Sequence, residues 1–292
     1  MSMDKSKSLT QKDYKARLQP SKSKITSTDV ATLPKPGTTA PSNMKFLGGH
    51  KLAYLLPPDA MSMTRQLYVL NTKTGEKTQI KVGGVATEEG KFSLEEQMRR
   101  ERLRLMATGV TSYELSKEDK DGKVVGLIPN GNGLYIWDTS SAKNDPRLLI
   151  DSTNENLEEG TTILDAKISS DGSTVAFVSN EEVYVMPVKE GGGGIPTQIT
   201  SGARYVEGRT NGVADYLAME ELSRPEGFWL SPNGELLAFE QVDEGHIPPY
   251  RLVHQAAPGG LAPSLEADMS SQDMVEATKV SHEEHRFCFA GT

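Results

Sequence analysis

Cysteine is almost absent from this chain: Cys288 is the only one among 292 residues. A single thiol allows no internal disulfide, which is typical of proteins from a reducing compartment. No apolar run reaches the roughly 18 residues that a membrane-spanning helix needs. The N-terminus has lysine and serine but lacks the apolar core of a secretory signal. We therefore expect a cytoplasmic protein with no membrane partner.

Positive charge is scarce outside the N-terminal stretch. The chain has 32 Lys and Arg against 40 Asp and Glu, a net charge of −8. Residues 1–45 hold nine basic and three acidic side chains, which is +6 and leaves −14 for the rest. An acidic body argues against nucleic acid as a partner, and it suits either a cationic ligand or simple solubility.

Aromatic residues are nearly missing from the first 44 residues, which are rich in Ser, Thr, Lys and Pro. Such a segment cannot bury enough apolar surface to offset its ordering entropy, so we predict a disordered basic leader over residues 1–44. Its basic residues are scattered, which favours a solvated leader over a tail that binds nucleic acid or anionic lipid. Residues 45–292 then form the folded domain.

Two hairpin patterns recur in that domain. Runs with tyrosine at their second position, each closed by turn residues and followed by another short run, start at Leu67, Leu134 and Val183. A strand–turn–strand pattern around Asp171-Gly172 returns around Asn233-Gly234, and these dipeptides are strong signals of a two-residue turn.

Together the two hairpins make a four-stranded meander, and its repetition indicates a β-propeller rather than a β-sandwich. We predict an all-β fold, a partial β-propeller of about four blades of antiparallel sheet, interrupted by two short helices. The first helix spans 93–106, with a capping box at Ser93 and Glu96 and an ion pair from Glu96 to Arg100. The second spans 215–222.

Both helices carry candidate binding residues. On the first, Arg100 and Arg104 share a face and Arg102 lies on another, and guanidinium groups suit carbonyl or carboxylate ligands because they hold their donors in a fixed fork. The alternative interpretation of this helix is a surface helix that is stabilised by ion pairs and binds no ligand. On the second, Glu220 and Glu221 repel each other unless a cation neutralises them, and a primary ammonium with three donors fits that need. The Glu-Glu dipeptide is common elsewhere in the chain, so only its context makes it informative.

That context resembles a known family. The run from Asn211 to Gly234, with its continuation over 239–255, is similar to the double-glutamate region of the dipeptidyl peptidase IV family. The first helix and the following 109–113 resemble the arginine segment of the family's cytosolic members, dipeptidyl peptidases 8 and 9. Residues 285–292 also fit, although Phe287-Cys288 stands where the family usually has Tyr-Pro.

The resemblance implies an N-terminal propeller joined to an α/β-hydrolase that releases X-Pro and X-Ala dipeptides. It implies that Glu220 and Glu221 hold the free N-terminal ammonium of a peptide, and that Arg100 or Arg102 holds the backbone carbonyl beside it. No cofactor or metal is implied.

A hydrolase of this kind needs a Gly-x-Ser-x-Gly turn, followed by an Asp and a His. The sequence has no such motif, so we expect no catalytic residue in this chain. Two functions stay open: the substrate-recognition part of a serine exopeptidase, and a non-catalytic interaction module. In either case open sheet edges favour self-association.

Overall fold

The computed structural model describes residues 26–32, 40–83, 94–140, 145–158, 162–189, 192–254 and 281–286. Most of the predicted leader, the predicted cap Ser93 and Cys288 lie outside these ranges. Within the leader, Ser27–Ala31 form helix α1. The first strand is Ser42–Phe46, and it pairs with Lys51–Leu56. None of the helices in the described ranges is long and apolar enough to cross a bilayer.

Three successive antiparallel meanders make up the first part of the fold. The first sheet contains β1 (Ser42–Phe46), β2 (Lys51–Leu56), β3 (Thr64–Asn71) and β4 (Lys77–Ile80), with β5 (Thr108–Gly109) pairing parallel to β3. The second contains β6 (Glu114–Leu115), β7 (Val125–Asn130), β8 (Gly133–Asp138) and β9 (Arg147–Asp151). The third contains β10 (Ile163–Ile168), β11 (Thr174–Ser179), β12 (Glu182–Lys189) and β13 (Gly192–Gly193), with β14 (Thr197–Gln198) on β12.

The fourth repeat departs from the predicted four-stranded blade. It forms two two-stranded ladders, β15 (Arg209–Asn211) with β18 (Gln241–Asp243) and β16 (Phe228–Leu230) with β17 (Leu237–Phe239). The predicted second helix lies between β15 and β16. One isolated β-bridge, from Val213 to Glu226, joins the residues on either side of it. A last ladder joins β19 (Pro249–His254) to β20 (Ser281–Arg286). The fold is therefore mostly β and antiparallel, as predicted, with three full meanders among the described residues.

Each of the first three sheets packs against the next through alternating side chains, because successive residues of a strand face opposite sides of the sheet. Ile128 on β7 belongs to the core between the first two sheets, and its neighbour Leu127 to the core between the second and third. Phe177 on β11 faces the second sheet, whereas Val178 packs with Phe228 of the fourth repeat. The sheets are thus stacked in chain order, as a propeller requires.

Charged side chains on the first strands also bond one sheet to the next. Lys45 Nζ on β1 donates to the carbonyl of Tyr113, 2.9 Å away, and lies 5.1 Å from that ring's centroid. Lys167 Nζ on β10 repeats the arrangement with the carbonyl and ring of Phe228, at 2.7 and 4.4 Å. Between them, Glu114 accepts from the amide of Ile168 on the third sheet. These three inter-sheet bonds fix the spacing of the first strands.

Candidate functional site

The carboxylate-bearing helix is set by its own capping residue. Helix α3 (Tyr216–Glu220) follows helix α2 (Leu94–Arg102) in the chain. It begins after Asp215, whose side chain accepts from the amide of Ala218 at 2.6 Å. Ala218 and Met219 are buried and anchor one face. Upstream, Gly212 has φ of +75°, and a Cβ there would clash with Val183. The strand-to-helix connection is therefore tightly fixed.

Glu220 and Glu221 are presented differently at the end of this helix. One carboxylate oxygen of Glu220 lies 3.9 Å from a guanidinium nitrogen of Arg104, and 20% of the Glu220 side chain is exposed. Glu221 is exposed. The two side chains diverge because neighbouring helical positions point in different directions.

The basic helix α2 spans Leu94–Arg102, shorter than predicted. It ends where Arg104 takes a left-handed conformation, φ +50°, and the amide of Leu105 reaches back to the carbonyl of Arg100 at 2.8 Å. The predicted pair between Glu96 and Arg100 is confirmed at 3.9 Å.

The two predicted arginines have different surroundings. Arg100 is buried and donates to the carbonyl of Ala107 in the loop after its own helix. Arg102 reaches helix α3, where its guanidinium carbon lies 5.3 Å from the Tyr216 ring centroid and a nitrogen lies 3.8 Å from the Met219 sulfur. The structure thus brings Arg102 to the carboxylate helix and turns Arg100 towards its own loop.

Arg104 is a candidate that the resemblance did not assign to the site. The sequence placed it on the same helical face as Arg100, but the helix has ended before it, so the face argument does not apply. Its 86% exposed side chain stands beside Glu220 instead. The only signal for it in the sequence is its membership of the arginine-rich run.

A cavity of about 470 Å³ lies between the two helices and the third sheet. Its charged and aromatic lining includes Arg99, Arg102, Asp165, Asp215, Tyr216 and Glu244. Burial raises the pKa of Glu244, and the nearby negative charge of Asp215 adds to this, while Arg102 acts in the opposite direction. Glu220 and Glu221 do not line the cavity, so they lie beside it.

A second cavity of about 290 Å³ adjoins the first and shares Arg99 and Asp165 with it. Three of its lining carboxyls, Glu96, Glu114 and Asp165, have pKa values raised chiefly by burial. Within the described ranges, no group of three or more His, Cys, Asp and Glu side chains could hold a metal ion.

Comparison with known proteins identifies one matching family. Residues 131–268 match the family described as the dipeptidyl peptidase IV (DPP IV) N-terminal region. This match supports an N-terminal region of the dipeptidyl peptidase IV family in this part of the chain. Human dipeptidyl peptidase 8 is 22% identical over 186 residues, which cover 58% of this chain and 19% of that protein.

Two solved structures are similar in fold at low identity. Porphyromonas gingivalis dipeptidyl peptidase 4 gives a TM-score of 0.45 at 16% identity, over 84% of this chain and 28% of that one. The tricorn protease gives 0.38 at 11% identity, over 71% of this chain and 15% of that one. This chain therefore spans less than a third of each of these relatives.

Proposed function

We propose that this chain is the substrate-recognition part of a dipeptidyl-peptidase-IV-like serine exopeptidase, and that it binds the free amino end of a peptide. The observation that supports this most is the meeting of the two helices: Glu220 lies beside Arg104, and Arg102 contacts Tyr216 and Met219. The carboxylate-bearing helix and the arginine-bearing segment therefore meet, which recognition of an ammonium and the adjacent carbonyl requires.

The ammonium is proposed to bind between Glu220 and Glu221, since its three donors can reach both carboxylates. Arg104 does not block this. An exposed ion pair is worth no more than about 1 kcal/mol, so the Glu220–Arg104 contact is readily rearranged. With five donors, Arg104 can hold Glu220 and a peptide carbonyl together.

Arg104 and Arg102 are better placed than Arg100 to bind the peptide carbonyl. Arg102 is held by an aromatic ring and a thioether, neither of which uses up its hydrogen-bond donors in strong contacts. Arg100 would have to give up its bond to the Ala107 carbonyl to reach a ligand. We retain Arg100 as the buried support of the loop that carries Arg104.

Cleavage belongs to a different part of the proposed enzyme. Release of X-Pro or X-Ala dipeptides needs a serine nucleophile, and these 292 residues contain no Gly-x-Ser-x-Gly turn. We assign to this chain the recognition step in proteolysis, and we infer a cytoplasmic location from its single cysteine, which is typical of a reducing compartment.

The test is calorimetric titration of the full chain with a Gly-Pro-containing peptide, free or acetylated at its amino end. Charge-assisted hydrogen bonds contribute about 1.5–3 kcal/mol, so acetylation should weaken binding by about tenfold or more. Glu220→Gln should weaken binding of the free peptide similarly. Glu76→Gln, in an exposed turn of the first sheet, is the matched control. Equal affinity for both peptides would rule out an ammonium site.

A non-catalytic interaction module is the second candidate, favoured by one feature. The β16–β17 hairpin exposes Trp229, Leu236 and Phe239. An open hairpin with exposed apolar side chains is a surface for pairing with another chain. Sedimentation velocity over a range of concentrations tests it: self-association that Leu236→Lys abolishes supports this surface, whereas a monomer at every concentration contradicts it.

A further inference from the structure

One fully buried carboxylate lies outside both helices and both cavities. Glu182, the first residue of β12, is completely inaccessible to solvent. One of its oxygens accepts from the amides of Ala203 and Arg204, at 2.7 and 3.5 Å. The other accepts from the hydroxyl of Thr200 at 2.6 Å and from the side-chain amide of Asn211 at 2.9 Å. Buried charges are retained in proteins when donors satisfy them in this way.

The bond to Asn211 ties the third sheet to the fourth repeat. Asn211 is buried at the end of β15, and its main-chain amide donates to the carbonyl of Glu181 at 2.9 Å. Its side-chain oxygen accepts from Gln241 on β18 at 2.9 Å. The direction of each bond is therefore set: Gln241 donates to Asn211, and Asn211 donates to Glu182.

This anchor stands immediately before the carboxylate helix. Gly212 follows Asn211, and its amide donates to the carbonyl of Glu240 at 2.9 Å. Three residues later Asp215 caps helix α3. The start of α3 is therefore held at a short, rigid distance from Glu182, and the position of Glu220 depends on that start.

We propose that Glu182 is a positioning residue for the ammonium-binding carboxylates, acting through Asn211. This role rests on the function proposed above, since Glu182 itself touches no ligand. The positioning role requires a hydrogen-bond acceptor that faces the Asn211 side-chain amide. Both oxygens of a carboxylate are acceptors, so Glu182 supplies one in either orientation. A neutral amide at position 182 would set an N–H group against one of the donors.

Glu182→Gln is the primary variant. It keeps the shape of the side chain and should weaken binding of the free-amino peptide by about tenfold, the cost of one buried donor left without an acceptor. Adding Asn211→Asp reverses the direction of the bond between positions 182 and 211. The side-chain amide at position 182 then donates to the carboxylate at position 211, and that carboxylate still accepts from Gln241. The double variant should recover most of the affinity. Failure of the double variant to recover would overturn the role of Asn211 as the link.

Hydrogen exchange gives a readout that does not need the ligand. The amides of Met219 and Glu221 bond to the carbonyls of Asp215 and Leu217, at 3.2 and 2.9 Å. Glu182→Gln should speed their exchange, and the double variant should slow it again. Glu114→Gln removes a partly buried carboxylate of the second sheet and should leave these amides unchanged.

The two readouts separate the two proposals. If the unaltered chain fails to distinguish free from acetylated peptide, the ammonium site is wrong, and exchange at Met219 and Glu221 still decides whether Glu182 holds the helix. If Glu182→Gln leaves both exchange and affinity unchanged, the positioning role is wrong.

Discussion

Replacing Lys167 with methionine would remove the cation from an ion pair within strand β10 of the third sheet. The ammonium lies 3.2 Å from a carboxylate oxygen of Asp165, with 14% of the Lys167 side chain and 20% of the Asp165 side chain exposed. It also donates to the carbonyl of Phe228. Methionine keeps the aliphatic stem against the Phe228 ring, so the loss is mainly that of charge and donors.

The burial of the ion pair decides how much the substitution lowers the free energy of unfolding. Leaving one partner of a buried pair uncompensated costs about 3–5 kcal/mol, and the partial exposure here reduces this to about 2–3 kcal/mol. Burial already raises the pKa of Asp165, and Lys167 opposes that shift. The pair between Lys123 and Asp138 has nearly the same separation, 3.1 Å, but 44% and 37% of its side chains are exposed. Lys123→Met should therefore cost less than about 1 kcal/mol.

Urea unfolding, followed by the fluorescence of the buried Trp137, measures both variants. A third variant tests the cause: adding Asp165→Asn to Lys167→Met removes the stranded charge, and asparagine tolerates the left-handed φ of +46° at that position. The double variant should be more stable than Lys167→Met alone. Equal losses for Lys167→Met and Lys123→Met, or no recovery in the double variant, would refute the argument from burial.

Three further variants test the burial of charge and the conformation of the backbone. Burial raises the pKa of Glu114 above its ordinary 4.5, so the stability that this group contributes is present below pH 4.5 and is lost as pH rises through the higher folded-state value. Glu114→Gln, whose amide oxygen still accepts from Ile168, should be more stable than the unaltered chain at pH 7; a lower urea midpoint would contradict this. At Gly109, φ is +73° and a Cβ would lie 2.5 Å from the Arg65 carbonyl oxygen, so Gly109→Ala should cost more than about 2 kcal/mol. Gly49 has φ of +53° with nothing within 4 Å, so Gly49→Ala should cost about 1 kcal/mol, and equal melting temperatures for the two would contradict the steric argument.

The repeats were predictable because strand periodicity and turn residues are local. The tyrosine-bearing runs at Leu67, Leu134 and Val183 lie on β3, β8 and β12, each paired with the strand that follows it in the predicted hairpin. The residues of the runs on β8 and β12 alternate between two cores, which is the pattern that a sheet buried on both faces imposes.

The geometry of the turns was less predictable, because side chains compete with the backbone. At Asp171-Gly172 the sequence indicated a two-residue turn with both residues at positive φ, yet only Gly172 has one. Asp171 instead accepts from the hydroxyl of Ser169, and the amide of Ser169 bonds across the loop to Thr174. The loop around Asn233 repeats these bonds with Ser231.

The candidate binding residues were predicted by resemblance, and their arrangement depends on where helix α2 ends. Helical periodicity paired Arg104 with Arg100, but periodicity holds only inside the helix. Because the helix ends at Arg102, Arg104 points to Glu220 while Arg100 turns to Ala107. A local left-handed residue of this kind leaves no pattern in the sequence.

The bonds that link successive sheets bear on how such repeats can diverge. Lys45 and Lys167 each reach a main-chain oxygen of the next sheet, and that oxygen belongs to a tyrosine in one case and to a phenylalanine in the other. Every residue type has the same main-chain carbonyl. The residue that accepts the lysine hydrogen bond can therefore mutate without loss of that bond between the sheets. Neighbouring modules of this chain can therefore drift apart in sequence while keeping a constant separation.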